Sequence, residues 1–312
     1  FLRGVAMKKI ICVSALFLAM IVLLPVSAMT QEPAKNMITA LMQKYQKECS
    51  VADLTPTLCK LAAVTPPAKC ESQPIKQVVA LGKERFGQTG AEKILVFCPD
   101  AIGHFLRPQF PADFKPLVDC TDFLAEGTNV MPSVTPVCFG SIFTGASPKV
   151  HGIEKYSKPV LKIPTLFDAF AAQKKNVAIL AVTGCSIDTI FKNRNIDYFS
   201  VRSNEVAFEL TKVILLNSDY DLIISYDGGY DSAMHGTGVH SAKSLGAMRD
   251  SLRRYQELVQ LTDQVWKKYN RVTVFAPDHG AHDNANGRGG HGTDTADDIL
   301  VDHYYRLRSA AR

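Results

Sequence analysis

Residues 271–294 read RVTVFAPDHGAHDNANGRGGHGTD, and the stretch changes character at Pro277. RVTVFA has the β-branched and aromatic composition of a strand in a buried or half-buried sheet. It leads into Asp278 and His279, neighbours whose side chains both suit a divalent cation. The Gly-rich run that follows packs no core, yet it carries His282, Asp283, His291 and Asp294. Carboxylates and imidazoles crowded beyond an apolar strand are costly to desolvate, and a bound metal is the usual compensation. Alone, the stretch also fits a polar surface loop, so its meaning depends on what else the fold brings to it.

The same design recurs upstream. Residues 93–98, KILVFC, form a buried-strand pattern that stops at Pro99 and Asp100, which places an acidic residue just past a strand end as Asp278 is placed. Helical spacing over 165–175, 203–217 and 241–268 alternates with strand patterns over 177–182, 221–226 and 271–276. Such alternation predicts an α/β domain with a doubly wound, mostly parallel central sheet and helices on both faces. In these sheets ligands bind beyond the carboxyl ends of the strands. Asp100, the 227–235 loop and Asp278-His279, distant in sequence, are therefore expected on one edge.

Within that loop, YDGGYDSAMHG, Asp231 and His235 are four apart and face the same way if the loop makes one helical turn. Asp227 competes as a ligand, but its place before Gly228-Gly229 suits a turn. A separate segment, residues 131–145, reads MPSVTPVCFGSIFTG. Thr135 before Pro136 has the form of an N-cap with proline at the first helical position. A hydroxyl there also lies where the helix dipole favours an alkoxide or a bound phosphoryl group, and it becomes a useful nucleophile once a metal or base activates it.

The 312 residues, 46% of them hydrophobic, are enough for a sizeable core, and no internal repeat or low-complexity tract occurs. A net charge of +5, from 35 basic and 30 acidic residues without a basic run, argues against a nucleic-acid polymer as partner. Met7-Lys8-Lys9, an apolar run over 10–24 and Pro25-Val26-Ser27-Ala28 have the pattern of a cleaved secretory signal. Residues 1–28 are accordingly read as a signal peptide, with 1–6 an upstream artefact, and the apolar run is short for a stable membrane span. Export to the periplasm, the cell surface or the medium follows. Residues 29–90 read as a peripheral helical segment, with helices over 36–48 and 74–86 and a Pro-containing loop between; 91–312 form the main domain.

Loss of Cys12 with the signal leaves seven cysteines, of which Cys49, Cys59 and Cys70 offer one disulfide and Cys98 reads as core. The absence of a CxxC pair argues against a structural zinc site. His104, His151 and His303 read as structural, His282 as a solvated loop residue in preference to a group supporting a metal ligand, and the basic residues near the C-terminus as a solvated helix end.

Taken together, Asp100, PSVTP with Thr135, TGASPKVHGI, DSAMH, APDHG and GGHGTD occur in an order that resembles the alkaline phosphatase superfamily, in particular its nucleotide pyrophosphatase/phosphodiesterase branch, over residues 93–305. The resemblance implies two divalent ions, zinc or else manganese. Asp231, His235 and His291 would hold one, and Asp100, Asp278, His279 and Thr135 the other. It implies hydrolysis of a small phosphate ester, as a phosphodiesterase, through a covalent phospho-threonine at Thr135. Phosphomonoesterase or phosphonate hydrolase activity, or an inactive metal-binding protein of this fold, are the alternatives. The branch places an Asn after its HGI segment, where this chain has Glu154-Lys155-Tyr156-Ser157, so phosphate contact passes to Lys155 or Tyr156. The sulfatase signature is absent, and the chain leaves little room for a large cap domain.

Overall fold

The computed structural model describes residues 36–311, and the signal-like segment lies outside them. In chain order the strands are β1 (Cys49–Ser50), β2 (Lys93–Pro99), β3 (Phe123–Thr128), β4 (Val177–Val182), β5 (Asp197–Val201), β6 (Leu222–Asp227), β7 (Arg271–Phe275), β8 (His282–Asp283), β9 (Gly289–Gly290) and β10 (Leu300–Arg308). Eight form one sheet in the order β1-β3-β10-β7-β2-β6-β4-β5, while β8 and β9 make a separate antiparallel pair. All pairings in the large sheet are parallel except those of β10 with β3 and β7. The four strands expected at 93–98, 177–182, 221–226 and 271–276 occupy its centre, and the expected mostly parallel α/β architecture is the one observed.

Burial on both faces explains their composition. In β2, Ile94, Val96 and Cys98 enter one hydrophobic layer, whereas Leu95 and Phe97 enter the other. The first layer includes the helices Leu54–Leu61, Thr135–Thr144 and Leu166–Ala172; the second includes Asn204–Asn217 and Ala242–Val265. No described helix is long and apolar enough to cross a membrane.

Three readings need correction. Residues 36–90 are not peripheral, because Val51, Ala52, Leu54 and Leu58 are fully buried in the first layer. The Pro-containing stretch there includes the helix Leu54–Leu61, in which Pro56 lies in the first turn, where a missing N–H costs nothing. The C-terminal basic residues belong to β10, a buried strand, where Arg306 pairs with Asp263 at 2.6 Å and Arg308 with Asp122 at 2.6 Å. Cys98 lies in the core as expected, while Cys49, Cys59 and Cys70 are free thiols.

Candidate active site

The carboxyl ends of β2, β6 and β7 point the same way, and each is followed within a few residues by an acidic group. Asp100 follows β2 directly, Asp278 and His279 follow β7, and all three are buried. Ala101, held with φ at 64°, turns the chain so that its N–H donates to Asp278 Oδ1 at 3.2 Å. A non-glycine residue in that region is strained, and the strain is accepted where β2 must end abruptly. After β6 the helix Gly229–Thr237 carries Asp231 and His235 on one face. The β8–β9 hairpin then delivers His291.

Hydrogen bonds fix the three imidazoles. His279 Nδ1 lies 2.9 Å from the carbonyl oxygen of Gly280, His291 Nδ1 3.0 Å from that of Ser133, and His235 Nδ1 3.2 Å from that of Gly289. A carbonyl only accepts, so each Nδ1 carries the proton and each Nε2 presents a lone pair. This is the arrangement found behind metal-bound histidines. The Nε2 atoms of His235 and His291 nevertheless face each other at 3.1 Å. The rings of His279 and His291 stack with centroids 4.1 Å apart.

The carboxylates complete two groups. Asp231 Oδ1 lies 3.2 Å from His235 Nε2 and 3.5 Å from His291 Nε2. Asp278 Oδ2 and Asp100 Oδ1 lie 3.3 and 3.5 Å from His279 Nε2. These three oxygens are buried without a hydrogen-bond partner. In each group, Asp231-His235-His291 and Asp100-Asp278-His279, one donor atom per residue lies within 4.8 Å of the others. Buried oxygens left unpaired and lone pairs turned on each other are what a divalent cation in each group would satisfy, so this donor set fits two such ions.

Charge behaviour agrees. Burial, reinforced by Asp231, pushes Asp100 up to about 7, and burial with Asp100 beside it drives Asp278 well above the usual carboxylate range. Burial also pushes Asp231 upward, but the close approach of His235 and His291 outweighs it and holds that carboxyl low. Burial and the neighbouring His291 push His279 down to about 3. Without a cation, then, Asp100 and Asp278 resist ionising.

Thr135 is the first residue of the helix Thr135–Thr144 and not its N-cap, which is Val134. Its hydroxyl therefore does no capping; it sits 3.2 Å from His279 Nε2, at the edge of the second group. Asp227 is engaged elsewhere, accepting from Arg254 at 2.9 Å and Ser251 at 3.0 Å, which leaves Asp231 as the residue in the cluster. Lys155 and Tyr156 are exposed, and among the described residues no hydrogen bond or ion pair joins either to the clusters.

His151, 3.1 Å from Ser141 Oγ, and His303, 2.8 Å from the carbonyl of Pro277, are buried structural groups as expected. His282 is not simply solvated, since its Nδ1 lies 2.7 Å from Asp298. A third group, His104, Glu126 and Asp302, already holds cations: Arg107 reaches both carboxylates, and Lys47 reaches Glu126. Tyr226 escaped the sequence reading; its hydroxyl donates to Asp100 Oδ2 at 2.6 Å, across 126 positions. Its place at the end of a strand that leads to the cluster was the only available signal.

No protein-family description matches the sequence, and no curated protein does. Solved structures do. Murine ectonucleotide pyrophosphatase/phosphodiesterase 5, as an inactive threonine-to-alanine variant in complex with AMP, superposes with a TM-score of 0.50 at 15% identity, over 62% of this chain and 58% of that one. Phosphonoacetate hydrolase from Sinorhizobium meliloti 1021 gives 0.48 at 17% identity, over 64% and 59%. The C-terminal periplasmic domain of phosphoethanolamine transferase EptC from Campylobacter jejuni gives 0.49 at 14%, over 70% and 80%. The chain thus spans less than two thirds of the length of the first two. The chain has the fold of the alkaline phosphatase superfamily.

Proposed function

We propose that this chain is an exported two-metal hydrolase of small phosphate esters, a phosphodiesterase in which Thr135 is the nucleophile. The observation that carries the reading is the gathering of three unpaired buried carboxylate oxygens and three imidazole lone pairs into two groups, with the Thr135 hydroxyl 3.2 Å from His279 Nε2 of one of them. Asp231, His235 and His291 would hold one ion, and Asp100, Asp278 and His279, with Thr135 Oγ1, the other. Zinc suits this mixture of nitrogen and oxygen donors. When bound, the two ions supply Lewis acidity and lower the cost of charge on the attacking and leaving oxygens.

The protein's own part is placement. The ten-residue helix Thr135–Thr144 directs its positive end at the reacting phosphoryl group. Thr135 Oγ1 bonds to phosphorus as the bond to the leaving oxygen breaks, and the hydroxyl proton ends on that oxygen, which departs as the alcohol. Water then cleaves the phospho-threonine, releasing the phosphate product and restoring the hydroxyl. The murine structure, inactive after a threonine-to-alanine change and bound to AMP, supports a threonine in this role and a nucleotide-like phosphate compound at the site. Lys155 or Tyr156, both exposed beyond the His151 turn, would take the phosphate contact. Export is supported by the signal-like pattern over residues 7–28. Purified protein should release p-nitrophenol from a p-nitrophenyl phosphodiester faster than from the monoester or a phosphonate ester, lose the activity to chelator and regain it with zinc. A faster monoester or phosphonate reaction would move the substrate class, and no zinc-dependent turnover on any of the three would end the hydrolase reading.

A further inference from the structure

Among the described residues Asp298 makes no hydrogen bond or ion pair with any member of the two clusters, yet four residues in the segments that carry them are tied to it. It is fully buried. Its backbone carbonyl accepts from Gly280 N at 2.9 Å, next to His279, and from Asn129 Nδ2 at 2.8 Å, at the head of the loop that leads to Thr135. Its carboxylate has a different reach. Oδ1 accepts from His282 Nδ1 at 2.7 Å, and Oδ2 accepts from the Thr293 N–H at 2.8 Å and the Thr293 hydroxyl at 2.6 Å.

Those side-chain partners bracket one ligand. His282 lies in β8, opposite Gly290 of β9, and His291 stands between Gly290 and Thr293. Thr293 is tied a second time, its carbonyl accepting from Ser133 Oγ at 3.1 Å, while the carbonyl of Ser133 itself holds His291 Nδ1. Gly289, the other residue of β9, supplies the carbonyl that holds His235 Nδ1. Both histidines of the Asp231 group therefore depend on the hairpin that the Asp298 carboxylate anchors at its two sides. Toward the segments of the Asp100 group, residue 298 offers its carbonyl, which accepts from Gly280 N and Asn129 Nδ2 and which a side-chain change leaves in place.

We infer that the Asp298 carboxylate, with His282 and Thr293, is a positioning group that sets the geometry of the Asp231-His235-His291 cation site and not of the other. The inference rests on the two-metal reading of the site. A buried carboxylate accepting three charge-assisted or neutral hydrogen bonds is a rigid anchor, and removal of such outer partners commonly lowers metal affinity 10–100-fold. A residue that merely stabilised the fold would instead loosen both sites together.

The test is zinc release from the loaded full chain, titrated with a chromophoric chelator. Wild type should surrender two equivalents. Asp298→Ala should surrender one of them at a chelator concentration at least about tenfold lower, with the second unchanged. In Asp298→Asn one oxygen still accepts from Thr293, and the selective loss should be smaller. If Asp298→Ala does not fold, His282→Ala removes one arm at a partly exposed position and should show the same selectivity more weakly. Two equivalents released as in wild type from whichever variant folds, or both shifted together, would overturn the inference while leaving the two-metal reading intact. Wild-type protein holding no zinc would overturn the two-metal reading, and this inference with it.

Discussion

His235 and His291, 56 residues apart in sequence, bring their Nε2 atoms to 3.1 Å while both Nδ1 atoms point to backbone carbonyls. Two imidazoles so fixed repel unless a cation or proton sits between them. Elemental analysis of active protein should therefore find about two zinc or manganese ions per chain. Chelation should lower the melting temperature, because ions that bind only the folded chain stabilise it. His291→Ala should cost one ion and leave the fold intact. One ion or none in fully active wild type would contradict the binuclear assignment.

Tyr226 and Asp100 give a second expectation. The Tyr226 hydroxyl donates to Asp100 Oδ2 at 2.6 Å, leaving Oδ1 for a cation. Tyr226→Phe strips that donor from a buried carboxylate oxygen, and the cost should be on the order of 1–3 kcal/mol of stability. Affinity for the ion held by Asp100, Asp278 and His279 should fall roughly tenfold. Chemical denaturation and zinc competition measure the two effects separately.

Close packing makes Gly280 hard to replace. A Cβ there would lie 1.8 Å from the carbonyl oxygen of Asp297, a backbone atom that cannot swing aside. Gly280→Ala should destabilise by at least about 1–3 kcal/mol and displace His279, its neighbour, from the second group. Thermal unfolding of Gly280→Ala beside Gly246→Ala, where nothing lies within 4 Å, checks it, since the second change should cost little.

Acid should unfold the protein through its structural histidines. Burial holds His151 and His303 down to about 4, below their usual 6.5. The unfolded chain takes up these protons as pH falls below 6.5, whereas the folded chain does not until about 4. Their contribution is thus complete above pH 6.5 and drains away across that window, by roughly 3 kcal/mol apiece at pH 4. Denaturant titrations between pH 7 and 4 should show the slope, and His151→Gln should flatten it.

What the sequence disclosed, and what it hid, follows from the range of the interactions. β2, β4, β6 and β7 were legible because they are buried on both faces and read as short apolar runs. Residues just past two of them, Asp100 and Asp278-His279, stood out because charge beyond an apolar run is expensive. β10 was not legible, since LVDHYYRLR buries an arginine and a histidine and half-buries a second arginine, whose partners, Asp263, Pro277 and Asp122, lie elsewhere in the chain. Tyr226 and Asp298 were hidden for the same reason: their roles consist of contacts that only the fold creates. Thr135 looked like a cap because capping depends on the φ and ψ of the preceding residue, which local sequence leaves open.

The proposed chemistry depends above all on Thr135, whose hydroxyl caps nothing and lies 3.2 Å from His279 Nε2. The most direct test is diester turnover by Thr135→Ala and Thr135→Ser, each first shown to be folded and zinc-loaded. The account predicts a loss on the order of a thousandfold or more in the alanine variant, and substantial activity in the serine variant, which keeps a hydroxyl able to attack phosphorus. Turnover in Thr135→Ala within a few fold of wild type would contradict it.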